Sequence, residues 1–202
     1  NVVYEDKHAR EISGYVPDKF DDLMQWRGAS TSGLSFRKEY LAGLLPIPQS
    51  LRIYADSYLG YLIIFVAPVR MVNEYLVRYR VHGSNLATNT GDSERLKKKA
   101  DCCSAAVREM RGWLLRRGIQ VEAPPVRAYL RKYELWEESM RLRLDHRGRL
   151  EFLRHLCEEY KLYWPYWSAG QRGYKLAYAA ATMLFGYRAL SSLGRLKRRR
   201  YP

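Results

Sequence analysis

Two side chains in this sequence sit where chemistry would need them. Asp56 opens the long apolar segment that begins within Tyr54–Asn85, and His82 closes an alternating run, Tyr75–Val81, just ahead of Gly83 and Asn85. A carboxylate at the start of one regular element and an imidazole at the end of another are each held in direction yet left open to a ligand. Such a pair suits proton transfer and phosphate binding better than it suits a core. Taken singly, each has a plainer reading. An aspartate before an apolar run is most commonly a helix cap, and a histidine before glycine a turn residue. Their joint occurrence is what favours chemistry.

The elements that must position these residues follow from the apolar pattern. Asn1–Asp6 reads as a short strand, and residues 7–30 as a loop-rich connection with a short helix around Phe20–Trp26. The string STSGLSF reads as small residues entering a buried strand, and RKEYLAGLLP as a short helix stopped by Pro46 and Pro48. Ala55–Val66 is nearly continuous in apolar residues and predicts a helix buried on most sides. Val69–Val72 and Tyr75–Val81 then read as strands joined at Asn73–Glu74. Tyr54 and Trp26 are expected in the core. From Gly91 onward the pattern becomes helical. Leu96, Ala100, Cys103, Val107, Met110 and Leu114 form an amphipathic stripe, with a stop at Arg117–Gly118. A second helix after Pro124–Pro125 carries Tyr129, Tyr133, Trp136 and Met140 on one face, and a third carries Leu150, Leu153, Leu156 and Tyr160. The last segment, Tyr174–Leu196, is apolar and runs into Lys197–Arg200. His8, His146 and His155 are expected at the surface.

Charge divides the chain in the same place. Residues 1–90 hold ten Lys/Arg against nine Asp/Glu, whereas residues 91–202 hold twenty-five against twelve, which accounts for nearly all of the formal +14. Cys102 and Cys103 are adjacent in a predicted helix, where neighbouring side chains diverge, and Cys157 is distant. Three cysteines without ligand spacing argue for a reducing compartment and against structural zinc. No apolar run reaches the length that spans a bilayer.

The strings VVYED, STSGLSFRKEYL, LRIYADSYLGYL and YLVRYRVHGSN, in that order, resemble the C-terminal half of family 2 inverting glycosyltransferases of GT-A fold. The resemblance implies an α/β GT-A-like partial domain over residues 1–90, the acceptor-side half of such a domain, followed by a mainly α-helical region over 91–202. It implies transfer of a sugar from a nucleotide-diphospho-sugar to an acceptor hydroxyl with inversion, in cell-surface polysaccharide or glycolipid synthesis. Asp56 falls at the position of the catalytic base. His82 would sit near the metal and diphosphate, and Thr31, Ser32 and Gly33 would line the acceptor side, although small residues entering a strand also serve tight packing. Ala55 stands where many members have glutamate. The divalent metal, Mg or Mn, would be held mainly by a nucleotide-binding half preceding Asn1. Glu5–Asp6 is not the Asp-x-Asp motif of that half. The chain is therefore expected to be part of a longer protein, inactive by itself, whose partners are the nucleotide-diphospho-sugar and a glycan or lipid-linked acceptor.

The chemistry also follows from the residue types. Inverting transfer needs one base to take the acceptor proton while that oxygen attacks the anomeric carbon. A helix N-terminus favours a negative charge there. The leaving diphosphate needs a cation or donors, which a metal with His82 or Arg80 would supply. For the basic half, an apolar tail of roughly twenty residues ending in a basic run suits an anionic membrane surface. This predicts a cytoplasmic protein, peripheral on the inner face of the cell membrane. The basic faces of residues 95–154 read as solvated. No nucleic-acid module is recognisable, which makes nucleic acid an unfavoured partner. The competing reading is a non-catalytic basic helical scaffold that binds membrane or nucleic acid.

Overall fold

The computed structural model describes residues 12–26, 33–51, 54–72, 93–145 and 148–199, with side chains placed as far as residue 185. In chain order the elements are β1 (Ser13–Gly14), a 3-10 turn Val16–Asp18, α1 (Phe20–Gln25), α2 (Lys38–Leu41), α3 (Ala55–Leu62) and a 3-10 turn Ile63–Phe65. They continue with β2 (Val69–Arg70), α4 (Ser93–Arg116), α5 (Pro124–Leu144), α6 (Arg149–Tyr163), a 3-10 turn Trp164–Tyr166, and α7 (Ala169–Arg199). β1 pairs antiparallel with β2, with Ser13 opposite Arg70 and Gly14 opposite Val69. Among the described residues this pair is all the sheet there is, and the fold is mainly helical.

Two compact units share these elements. The first gathers the described residues up to 72 with Cys102–Arg131, and the second gathers residues 93–101 with the described residues from Lys132 onward. The helical region after residue 91 therefore contributes to both units. In the first, Val16, Leu23, Leu44, Tyr58, Leu62 and Ile64 are buried, as are Met110, Leu114, Tyr129 and Leu130. In the second, Phe152 and Leu156 of α6 are buried, and Phe152 meets Tyr178 of α7 edge-on at 5.8 Å between ring centres. A Lys175–Glu159 ion pair at 2.6 Å joins the same two helices.

Helix α4 and the start of α5 follow the sequence signals closely. The stripe on α4 is buried at Ala100, Cys103, Val107, Met110 and Leu114. Its end is a Schellman closure, in which Ile119 N–H donates to the Leu114 carbonyl and Gly118 N–H to that of Leu115, both at 3.0 Å. Gly118 takes φ +71° there, a conformation that costs an L-residue about 1–2 kcal/mol. No atom lies within 4 Å of the Cβ an alanine would add, so the cost of Gly118→Ala is backbone alone. Urea unfolding should show a loss of about 1 kcal/mol, and an unchanged midpoint would remove the closure as a stabilising feature. Pro124 and Pro125 occupy the first turn of α5, where backbone donors have no partner within the helix anyway.

Elsewhere the structure departs from expectation. Leu34–Phe36 is irregular and half-buried or exposed rather than a buried strand. The strands expected at Asn1–Asp6 and Tyr75–Val81 lie outside the described residues, so among the described residues the sheet of the α/β half expected over 1–90 is represented by the β1–β2 pair, beside α1, α2 and α3. Trp136 is 37% exposed, where it takes the ammonium of Lys99 over its ring at 5.4 Å. On α6, Leu150 is 77% exposed, and the buried residues are Phe152, His155 and Leu156. Those three lie at spacings of three and one, a helix face rotated from the leucine face. His155 belongs in the interior, not at the surface, on the face it shares with Phe152 and Leu156, where Glu138 Oε2 of α5 lies 3.4 Å from its Nδ1.

Candidate functional site

Asp56 lies in the first turn of α3, as the residue types suggest. The approach to this turn is unusual. Tyr54, at the N-cap, adopts φ 73° and ψ 17°, in the left-handed region. For a bulky aromatic residue that conformation is a genuine outlier that costs on the order of 1–3 kcal/mol, and such residues cluster at functional sites. The turn aims the next residues into the helix: Tyr58 N–H donates to the Tyr54 carbonyl at 2.9 Å, and Asp56 Oδ1 accepts from Ser57 N–H at 2.8 Å. The carboxylate is half-buried.

The far end of α3 is fixed by two aromatic side chains from elsewhere in the chain. A helix leaves its last carbonyls without internal donors. Here the Trp26 indole N–H donates to the Gly60 carbonyl at 2.8 Å, and the Tyr129 hydroxyl to that of Tyr61 at 2.9 Å. Just beyond, the Tyr15 hydroxyl reaches the Phe65 carbonyl at 3.3 Å, and Phe65 packs edge-on to Tyr129 at 5.6 Å. A second anchor ties α4 to the loop before α3: Arg117 Nη2 donates to the Gly43 carbonyl at 2.9 Å, and Trp113 Nε1 to the same oxygen at 3.2 Å. The helix that carries Asp56 is thus held from its C-terminal end by the first unit's core.

Tyr54 and Tyr61 interact electrostatically with Asp56. Burial pushes the Tyr54 phenol well above the ordinary tyrosine range, reinforced by Cys103, Tyr61, Cys102 and Asp56 itself. Burial likewise raises the Tyr61 phenol, against a hydrogen bond with Ser57 that lowers it, with Cys103 and Asp56 adding to the rise. Tyr58 is raised by burial too. These phenols stay neutral at physiological pH, the two that interact with the Asp56 carboxylate among them. The unfolded phenols ionise near pH 10. Because the folded values lie higher, their contribution to stability is intact below about pH 10 and is lost as the pH climbs toward the folded values. Thermal melts should show a flat midpoint from pH 7 to about 9 and a fall above about 10. Tyr54→Phe should make that fall shallower, and a slope unchanged by this variant would mean Tyr54 is not among the groups responsible.

Of the residues singled out from sequence, the structure places Asp56 in this site, and leaves Gly33 exposed at the edge of an irregular stretch. Thr31, Ser32, Arg80 and His82 lie outside the described residues. Tyr54, expected in the core, is half-buried beside Asp56. Tyr61 and the pair Cys102–Cys103 were not expected here. The Ser57–Tyr61 spacing of four, one face of a helix, is the signal that could have found the tyrosine. Among the described residues no group of three or more His, Cys, Asp or Glu could hold a metal ion.

No protein-family model matches the chain, and no solved structure matches it. The sequence is similar to a protein of Nostoc sp. (strain PCC 7120) that bears the name of an uncharacterized glycosyltransferase. The two are 28% identical over 183 residues, which is 85% of this chain and 55% of that protein. The chain spans about half the length of the curated relative it matches.

Proposed function

We propose that this chain is the acceptor-side part of an inverting glycosyltransferase of GT-A fold, with Asp56 as its general base. The observation that carries the reading is a carboxylate in the first turn of a helix pinned at its other end, in a sequence similar along most of its length to a protein named a glycosyltransferase. Residues 1–90 would form the acceptor-side half, and the donor-binding half would lie in another part of the protein.

In this reaction the acceptor hydroxyl loses its proton to an Asp56 carboxylate oxygen. The freed electron pair forms the new bond to the anomeric carbon, and the bond to the diphosphate breaks with its pair on the leaving oxygen. Arg80 and His82 would donate to that diphosphate, while Thr31, Ser32 and Gly33 would shape the acceptor side. The neutral phenols of Tyr54 and Tyr61 would donate hydrogen bonds near the base without competing for the proton. A divalent metal, Mg or Mn, would draw its ligands from beyond the described residues, with His82 a candidate among them. The described residues do not form such a site. The acceptor class is a glycan or a lipid-linked sugar, consistent with polysaccharide or glycolipid synthesis.

Titration calorimetry of the 202-residue chain with a uridine or thymidine diphospho-sugar tests this division of labour. The expected result is no saturable binding at micromolar concentration. Micromolar binding would overturn the assignment of the donor site to another part of the protein. If the whole protein consumes no donor with any acceptor, the non-catalytic scaffold reading takes its place.

A further inference from the structure

The outward side of α7 in the second unit has no part in the transfer reading. Tyr174, Leu176, Leu184 and Phe185 are 67%, 55%, 70% and 67% exposed, and Ala177 and Ala180 between them are exposed too. Residues 176–187 contain no charged residue at all. The two cations at the start of the helix are already engaged within the unit. Lys175 pairs with Glu159 at 2.6 Å and lies over the Trp167 ring at 5.1 Å, while Arg172 stacks on Trp164 at 4.5 Å. The opposite side of the helix is settled against α6 through Tyr178 and Phe152, and Thr182 is fully buried. What remains is a helix with one side packed and another apolar and exposed. From Ala169 to the end the sequence has eight Lys/Arg and no Asp or Glu, and six of the eight follow residue 187.

We propose that this side of α7 lies on an anionic membrane surface, its aromatic and leucine side chains in the headgroup region and its basic end over the acidic lipids. Charge complementarity selects that occupant. A second copy would bring another acid-free basic helix and be repelled, and a polyphosphate chain would leave the apolar side chains in water. Among the described residues no helix is long and apolar enough to cross a membrane, so the helix would lie in the interface. Exposed Trp164, in the turn before α7, belongs to a cluster of Tyr160, Tyr163 and Trp167 with ring-centre separations of 5.1–5.9 Å. Tryptophan and tyrosine favour that same interfacial layer. The inference does not depend on the transferase reading.

Co-sedimentation of the 202-residue chain with vesicles tests it directly, using phosphatidylcholine alone and an equal mixture with phosphatidylglycerol. The chain should pellet with the mixture and not with phosphatidylcholine, and raised salt should release it. Each basic residue near an anionic surface is worth roughly a factor of five. Replacing Lys197, Arg198, Arg199 and Arg200 together by glutamine should therefore weaken binding about a hundredfold or more. Leu184→Asp with Phe185→Asp should abolish pelleting while circular dichroism keeps its helical signal, since both positions are exposed. Equal pelleting with both lipids would overturn the proposal. So would full binding by the aspartate pair, or a dimer in the wild-type chain that this pair dissolves.

Discussion

Asp56→Asn, made in the protein that carries the donor-binding part, should lower turnover by about a hundredfold or more. The amide preserves the shape of the side chain and can still accept the 2.8 Å hydrogen bond from Ser57 N–H, so the helix start is retained. What disappears is the capacity to hold the acceptor proton. Donor affinity should change little, because the proposed base would touch the acceptor rather than the diphosphate. The decisive readout is therefore a fall in kcat with an intact donor dissociation constant. A cap with no chemical role would give a different pattern, a small loss of thermal stability with near-normal turnover, and that result would return Asp56 to a structural part.

The second large effect concerns the far end of the same helix. Trp26 is buried and its indole N–H satisfies the Gly60 carbonyl. Trp26→Ala removes a large apolar side chain and strands that carbonyl, and denaturant unfolding should show a loss of about 3–5 kcal/mol. Trp26→Phe keeps most of the buried ring area and should cost less, about 1–3 kcal/mol for the unsatisfied oxygen. Against a typical domain stability of about 5–15 kcal/mol, the alanine variant approaches unfolding. If alanine and phenylalanine cost the same small amount, the aromatic clamp on α3 is not what holds Asp56 in place.

These two residues also show what a sequence can disclose. Trp26 was readable as core from its large apolar side chain, and Asp56 as a helix-start carboxylate from the polar-to-apolar switch. The partners of Trp26 were not readable, because a carbonyl accepts regardless of the residue that bears it, and Gly60 is 34 positions away. The left-handed Tyr54 was equally hidden. Glycine or asparagine would have announced such a turn, whereas a tyrosine gives no sign of it. His155 illustrates a third kind of silence: it is buried beside Phe152 and Leu156, and its polar neighbour is Glu138 of the preceding helix, 17 residues away, which no local pattern announces. By contrast, the α4 stripe and its glycine stop are local patterns, and both took the form their spacing implies. The β1 strand is two residues long and has no pattern to read.

The proposed single displacement, with Asp56 as its one base, would fix the stereochemistry of the product. The most direct test is the anomeric configuration of the glycosidic bond in the product of the whole protein, read by proton NMR. Transfer from an α-linked nucleotide-diphospho-sugar should give a β-linked product, with the signal absent in the Asp56→Asn variant. An α-linked product formed at the same rate by both proteins would contradict inversion and the role of Asp56 together.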